Sequence, residues 1–204
     1  MIHHRTFKSY TEYRVVQGHK AENHAQYVKD GEESREAAFK VYLGILKESL
    51  MPGKVLCMGA RTGTEVRVFQ KMKFRKSVGV DLWPLDEKVI KADWEDTPFE
   101  NNSFQNVFTN SLDHCQNFKT FIKEVRRVLV PNGVFTFITD ANYALGKRGI
   151  DFEHIISNNI NLLNAMFWDR IEDVLNALDT YGFSLTFFKN KNNRILVSCR
   201  KEAV

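Results

Sequence analysis

The stretch Val55-Leu56-Cys57-Met58-Gly59-Ala60-Arg61-Thr62-Gly63 decides how the chain reads. Lys54 to Met58 is a short apolar run of strand length that ends at Gly59. Thr64 to Met72 then reads as a helix, so the glycine-bounded segment between them is a strand-to-helix turn.

The same alternation continues downstream. Ser77 to Val80 is a second strand ending at Asp81, and Val89 to Ala92 a short third ending at Asp93. Phe104 to Thr109 is a fourth, after the turn Asn101-Asn102-Ser103. Phe118, Phe121, Ile122, Val125, Val128 and Leu129 form one stripe of a helix, which Pro131-Asn132-Gly133 ends. Val134 to Thr139 is a fifth strand. Strands and helices alternating over short connections imply a parallel sheet covered by helices on both faces.

The last third reads differently. Asp151 to Tyr181 is mainly helical, with Trp168, Ile171, Leu175 and Leu178 as its core stripe and Gly182 as its stop. Phe183 to Phe188 and Arg194 to Cys199 are two strands joined by Lys189 to Asn193. That connection is too short for a parallel crossover, so an antiparallel hairpin is expected. The expected fold class is α/β: a three-layer sandwich on a mostly parallel seven-stranded sheet with an antiparallel C-terminal hairpin.

Upstream, residues 1–30 are polar and aromatic without a clean period, and read as an N-terminal arm, helical only in part. Gly31-Glu32-Glu33-Ser34 opens a helix whose first-turn acids suit the positive end of the helix dipole. Ala38, Tyr42, Ile45 and Leu46 follow at helical spacing, and Met51-Pro52-Gly53 stops the run. The chain divides into residues 1–50, an arm and helix covering the site, and residues 51–204, the main unit of one structural domain.

Bulk properties exclude several classes. A chain of 204 residues buries roughly 70% of its extended surface and needs no staples. The three cysteines, Cys57, Cys115 and Cys199, are far apart, which argues against a disulfide framework and for a reducing compartment. Met1 to Tyr10 is too polar for a secretory signal, and no apolar run approaches the roughly 18 residues of a spanning helix. A cytoplasmic protein without membrane association is expected. The net charge of +4, a small excess of 29 cations over 25 anions, hints only weakly at an anionic partner such as nucleic acid or an acidic metabolite, and nucleic acid is not an expected partner. His3-His4 and His19 with His24 lack an acid or cysteine at ligand spacing, so no metal is expected.

In an open parallel sheet, ligands sit at the carboxyl ends of the strands, where strand order reverses. That singles out Gly59 to Gly63, Asp81, Asp93 and Asn110 to His114. A glycine at the turn lets the backbone approach a ligand where a Cβ would collide, though a tight turn can exist without one. Asp81 lies 18 positions past Gly63, close to the roughly 20-residue offset at which an acid meets ribose hydroxyls. Each charge-assisted bond there contributes on the order of 1.5 to 3 kcal/mol. The alternative is a turn aspartate, with Pro84 three residues on.

Five ordered segments now carry a resemblance. Val55 to Gly63, Gly79-Val80-Asp81, Ala92 to Phe99, Ser103 to Phe108 and Val125 to Gly133 resemble the successive motifs of class I S-adenosylmethionine (SAM)-dependent methyltransferases, in their small-molecule branch. The glycine spacing agrees. A dinucleotide-binding turn wants glycines at the positions of Gly59, Arg61 and Thr64, whereas a SAM-binding turn wants them at Gly59, Arg61 and Gly63. The resemblance covers roughly residues 50–140 and implies a Rossmann-like fold, with SAM as cofactor and a small molecule as acceptor. It also implies roles. Gly59, Ala60 and Gly63 would line the amino-acid end of SAM; Asp81 would hold the ribose, with Leu82 against the adenine. Asp93 would accept from the adenine amino group, beside the backbone of Trp94. Asn110 and Ser111 would face the methionine part and the transferred methyl.

The chain departs from the family pattern twice. Cys57 stands where an acid is usual within strand one, and Arg61 replaces the middle glycine. The reading preferred for Arg61 has its side chain at solvent; the other pairs it with the SAM carboxylate. For catalysis the candidates are His114, whose ordinary pKa suits a general base, and Asp113 to orient it. Otherwise His114 is a loop histidine capping the next helix. The basic run Arg67, Lys71, Lys73, Arg75 and Lys76 and the cations Lys123, Arg126 and Arg127 read as structural, placed away from the ligand edge. Two rivals remain: a SAM-binding sensor or partner subunit without transferase activity, and a nucleotide-dependent oxidoreductase. The acceptor and the oligomeric state are not encoded in any motif read here.

Overall fold

Val55–Met58 forms strand β2, whose four residues are all fully buried at the middle of a sheet. Val55 and Cys57 enter one apolar cluster and Leu56 and Met58 the other, because successive side chains of a strand point to opposite faces. A near-continuous apolar run is what a parallel strand covered on both sides requires. Burial of a Leu or Val of this kind stabilises by about 1.5–3 kcal/mol.

The computed structural model describes residues 1–141 and 165–203. Among them, the strands are β1 (Ile2–His4), β2, β3 (Val78–Asp81), β4 (Val89–Lys91), β5 (Phe104–Thr109), β6 (Leu129–Asp140), β7 (Met166–Trp168), β8 (Phe183–Lys191) and β9 (Arg194–Lys201). The helices are α1 (Tyr10–Asp30), α2 (Glu32–Leu46), α3 (Thr64–Lys71), α4 (Phe118–Val128) and α5 (Ile171–Thr180). Seven strands form one sheet in the order β4-β3-β2-β5-β6-β9-β8. β4 to β6 pair in parallel, and β9 runs antiparallel to both of its neighbours. This is the expected α/β, Rossmann-like architecture with its C-terminal hairpin. Phe39, Leu43 and Leu46 of α2 and Val66 and Phe69 of α3 pack on one face; Phe121, Ile122 and Val125 of α4 and Val174 and Leu178 of α5 pack on the other. Strand order reverses between β2 and β5, which opens a crevice at their carboxyl ends.

Several segments differ from the sequence reading. Residues 10–30, within the expected and only partly helical N-terminal arm, are one continuous helix, α1. Its buried residues include Tyr13, Gln17 and Ala21, a narrow stripe four residues apart with a polar residue in the middle, which leaves no apolar face to read. Helix α4 ends at Val128 and β6 begins at once, so Pro131-Asn132-Gly133 is not the helix stop. It falls in an irregular stretch of β6, where the partners of Leu129 and Val134 are only Phe104 and Asn106. Asn132 takes φ 61° there, a left-handed conformation that Asn tolerates.

Of the expected helix over residues 151–181, residues 151–164 lie outside the described residues, and the rest is not all helix. Met166–Trp168 is β7, paired antiparallel with β1, and only Ile171–Thr180 is helical. Trp168 is fully buried, but from a strand opposite Ile2. The chain start is tied down here: the Met1 ammonium lies 2.9 Å from Asp169 and 2.5 Å from Asp173, and His3 Nε2 meets Asp169 at 2.7 Å. The hairpin turn is shorter than expected. Asn192 and Asn193, at φ 51° and 62°, close it as a two-residue turn, and the flanking lysines continue the strands.

The cations Arg126 and Arg127 tie elements together as expected. Arg126 donates to the Gly182 carbonyl at 2.8 Å, and Arg127 spans Glu124 at 2.7 Å and the Phe99 carbonyl at 2.7 Å. Arg67 is a correction. It stands in the first turns of α3, at the crevice edge, donating to the Thr62 carbonyl at 2.9 Å and pairing with Glu32 and Asp86. The reason is direction: α3 starts at the crevice and only its later residues lie at the far edge. No described helix is long and apolar enough to cross a membrane.

Candidate active site

The turn after β2 is bound to the neighbouring strand before it becomes a helix. The N–H groups of Gly59 and Ala60 both donate to the Val80 carbonyl, at 2.9 and 3.1 Å. Gly59 sits at φ 75°, and a Cβ there would meet Ser111 Cβ and the Trp94 ring at 3.0 Å. Gly63, at φ 64°, precedes the first residue of α3, and a Cβ on it would meet the Asp86 carboxyl at 2.9 Å. Gly59 therefore serves close approach at the crevice, while Gly63 shapes the turn behind it.

The crevice has a volume of about 180 Å³. Gly59, Ala60, Arg61, Asp81, Leu82, Trp94, Asn110, Ser111 and His114 line it; Gly63, Asp93 and Asp113 of the expected set stand outside the lining. Asp81, at the tip of β3, is 8% exposed. Its Oδ2 accepts from the Arg61 N–H at 3.1 Å and its Oδ1 from the Trp83 N–H at 2.7 Å. It is a turn aspartate and a crevice aspartate at once. The Arg61 side chain does not point at solvent, as the preferred reading had it. Its guanidinium lies inside, Nε 3.9 Å from Asp81 Oδ1, because that buried carboxylate is the counter-charge in reach. Arg61 Nε has no hydrogen-bond partner.

Trp94 is 7% exposed and packs on Phe121 at a centroid distance of 5.0 Å. Asp93 faces α1: its Oδ2 accepts from the Tyr10 hydroxyl and its Oδ1 from the Glu95 N–H at 2.9 Å. Ser111 Oγ lies 3.4 Å from the Gly59 carbonyl, so the second loop leans on the first. His114 Nε2 is 3.5 Å from Asp113 Oδ2, and the His114 carbonyl accepts from the Tyr13 hydroxyl at 2.9 Å. The cap of α4 is Asn117, which accepts from the Thr120 N–H at 3.1 Å. His114 is thus not the helix cap.

Sequence reasoning missed six lining residues, five on helices and Trp83 beside Asp81. Tyr13 and Gln17 come from α1, Arg35 and Phe39 from α2, and Glu65 from α3. The first four carry no motif. Glu65 was legible as an acid just past the second glycine, yet first-turn acids are common and usually solvated. Here it is 3% exposed, and burial, aided by Asp81 and Glu32, pushes its carboxyl up to about 8. No cluster able to hold a metal ion occurs among the described residues.

Comparison with known proteins agrees with this geometry. Residues 56–137 match the family model described as a methyltransferase domain. An uncharacterised protein of Methanocaldococcus jannaschii is 26% identical over 174 residues, covering 70% of this chain and 66% of its own. The malonyl-[acyl-carrier protein] O-methyltransferase of Halorhodospira halophila is 28% identical over 121 residues, covering 52% and 41%. The chain thus spans about two thirds or less of these relatives' length. Among solved structures, the 1,6-didemethyltoxoflavin-N1-methyltransferase of Burkholderia thailandensis, with its namesake substrate and S-adenosylhomocysteine bound, shares the fold. Its TM-score is 0.72 at 17% identity, over 98% of this chain and 93% of that one. Residues 56–137 thus resemble a methyltransferase domain, and the fold is the one shared with a solved SAM-dependent methyltransferase.

Proposed function

We propose that the chain is an enzyme that binds SAM in the crevice and transfers its methyl group to an acceptor of small-molecule size. The observation that carries this reading is Asp81, a buried carboxylate at the tip of β3 beside the turn at Gly59, where a Cβ would fill the approach. These residues fit the cofactor. Asp81 keeps lone pairs for two ribose hydroxyls, and Arg61 Nε, near Asp81 but without a hydrogen bond, suits an anionic group such as the methionine carboxylate. Gly59 and Ala60 line the amino-acid end, with Gly63 shaping the turn. Leu82, Trp83 and Trp94 flank the adenine. Asn110 and Ser111 face the methionine part. Residues 1–50 act as the cover and residues 51–204 as the transferase unit.

When bound, SAM supplies an electrophilic methyl carbon on a positively charged sulfur. The chain's part is to hold the acceptor atom in line with that bond, since positioning supplies most of the rate. His114, at the crevice, takes the proton from an acceptor hydroxyl, amine or thiol, and Asp113 at 3.5 Å orients the ring. Nucleic acid is not the proposed acceptor: Arg67, Lys71, Arg126 and Arg127 are engaged by acids or carbonyls of the fold itself. The three cysteines are buried and unpaired, which suits a reducing compartment such as the cytoplasm.

A second reading, a SAM-binding sensor or partner subunit without transfer, draws on Cys57 and on the Arg61 guanidinium within the crevice. Incubation with methyl-labelled SAM and a mixed metabolite extract separates the two. Label appearing in a new small molecule supports the enzyme; SAM bound with no transfer supports the sensor.

A further inference from the structure

Resting on that cofactor site, we propose that Glu65 is the acid that receives the ammonium of the cofactor's amino-acid end, in place of the acid that Cys57 replaces. Glu65 is the second residue of α3, is 3% exposed and lines the crevice beside Gly59, Ala60 and Arg61. The other acids around this turn are already engaged. Glu32 accepts from the Thr64 hydroxyl at 2.7 Å and pairs with Arg67, Asp86 pairs with Arg67, and Asp81 holds two backbone N–H groups. Glu65 forms no ion pair with any described residue, and a donor that reaches its carboxyl is its own backbone N–H. A carboxyl buried against a crevice and making no ion pair lacks the partner that would stabilise its charge.

The carboxyl also lies where the family pattern needs one. It is near enough to the fully buried Cys57 thiol to push that thiol further up, beyond the effect of burial alone. The charged groups facing Glu65 are Asp81 from β3 and Arg35 and Glu32 from α2. Burial, with two acids set against one guanidinium, leaves it neutral near pH 7 in the ligand-free crevice, and an arriving ammonium ionises it and expels a proton.

Calorimetry with two ligands tests this. S-Adenosylhomocysteine carries the amino-acid end; 5′-methylthioadenosine has the same nucleoside and sulfur without it. The expected result is that Glu65→Gln weakens the first by about tenfold or more and the second by less than about twofold. In the wild-type protein near pH 7, binding of S-adenosylhomocysteine should release a proton, seen as a heat that varies with buffer ionisation enthalpy, and methylthioadenosine should release none. Equal losses for both ligands, no loss for either, or no proton release by the wild-type protein overturns the role of Glu65. A wild-type protein that binds neither ligand removes the cofactor reading itself, and this inference with it.

Discussion

The Arg61 N–H donates to Asp81 Oδ2 at 3.1 Å, and that bond joins the turn after β2 to the tip of β3. Two neighbouring parallel strands thereby present a glycine corner and a buried carboxylate to one crevice. The arrangement is preorganised: the carboxylate is held by backbone donors before any ligand arrives, so less ordering entropy remains to be lost on binding.

Asp81→Ala is expected to weaken SAM binding by about tenfold to a hundredfold, since one or two charge-assisted bonds to ribose disappear. It also frees the N–H groups of Arg61 and Trp83, so a modest fall in melting temperature should accompany it. Asp81→Asn keeps an acceptor for the turn and separates the two effects. Calorimetry giving near-wild-type affinity in both variants would reduce Asp81 to a turn residue.

How far the sequence reaches is visible at this site. Strand β2, its glycine turn, Asp81 and the loop from Asn110 to His114 were legible because a parallel strand reads as an unbroken apolar run and ligands gather at strand ends. Helix α1 was not, since among its described side chains the buried ones, Tyr13, Gln17 and Ala21, put a polar residue in the middle of the stripe. Strand β7 was hidden because its three residues pair with β1 from the other end of the chain, and a strand of three has no period. The direction of Arg61 and the burial of Glu65 depend on what surrounds them, and spacing does not carry that.

Replacing His114 by Ala is expected to lower methyl transfer by about a hundredfold or more while SAM affinity stays near wild type. Single-turnover label transfer beside calorimetry measures both. An unchanged rate would place His114 among structural loop residues, holding Tyr13 through its carbonyl.

At Gly59, φ 75° disfavours any Cβ by roughly 1–2 kcal/mol, before the 3.0 Å contacts with Ser111 and Trp94 are counted. Gly59→Ala should therefore lose at least that much stability in urea unfolding and also lose SAM binding. A variant as stable as wild type would mean that the turn is not held as described.

Glu65 also sets a pH dependence. Its folded pKa of about 8 lies above the ordinary 4.5, so the folded state holds a proton that the unfolded state has released. Stability of the ligand-free protein should fall as pH rises through that window, by up to about 1.4 kcal/mol per pH unit. Thermal midpoints at pH 6.5 and 8 should show the decline, and Glu65→Gln should flatten it. A rising or level wild-type curve would contradict the assignment.

The most direct test is a crystal structure of the protein with S-adenosylhomocysteine. The account predicts both ribose hydroxyls on the Asp81 carboxylate, with the Arg61 guanidinium moved off Oδ1 to admit them. An adenosyl group seated elsewhere, or a crevice still closed by Arg61 at saturating ligand, would contradict it.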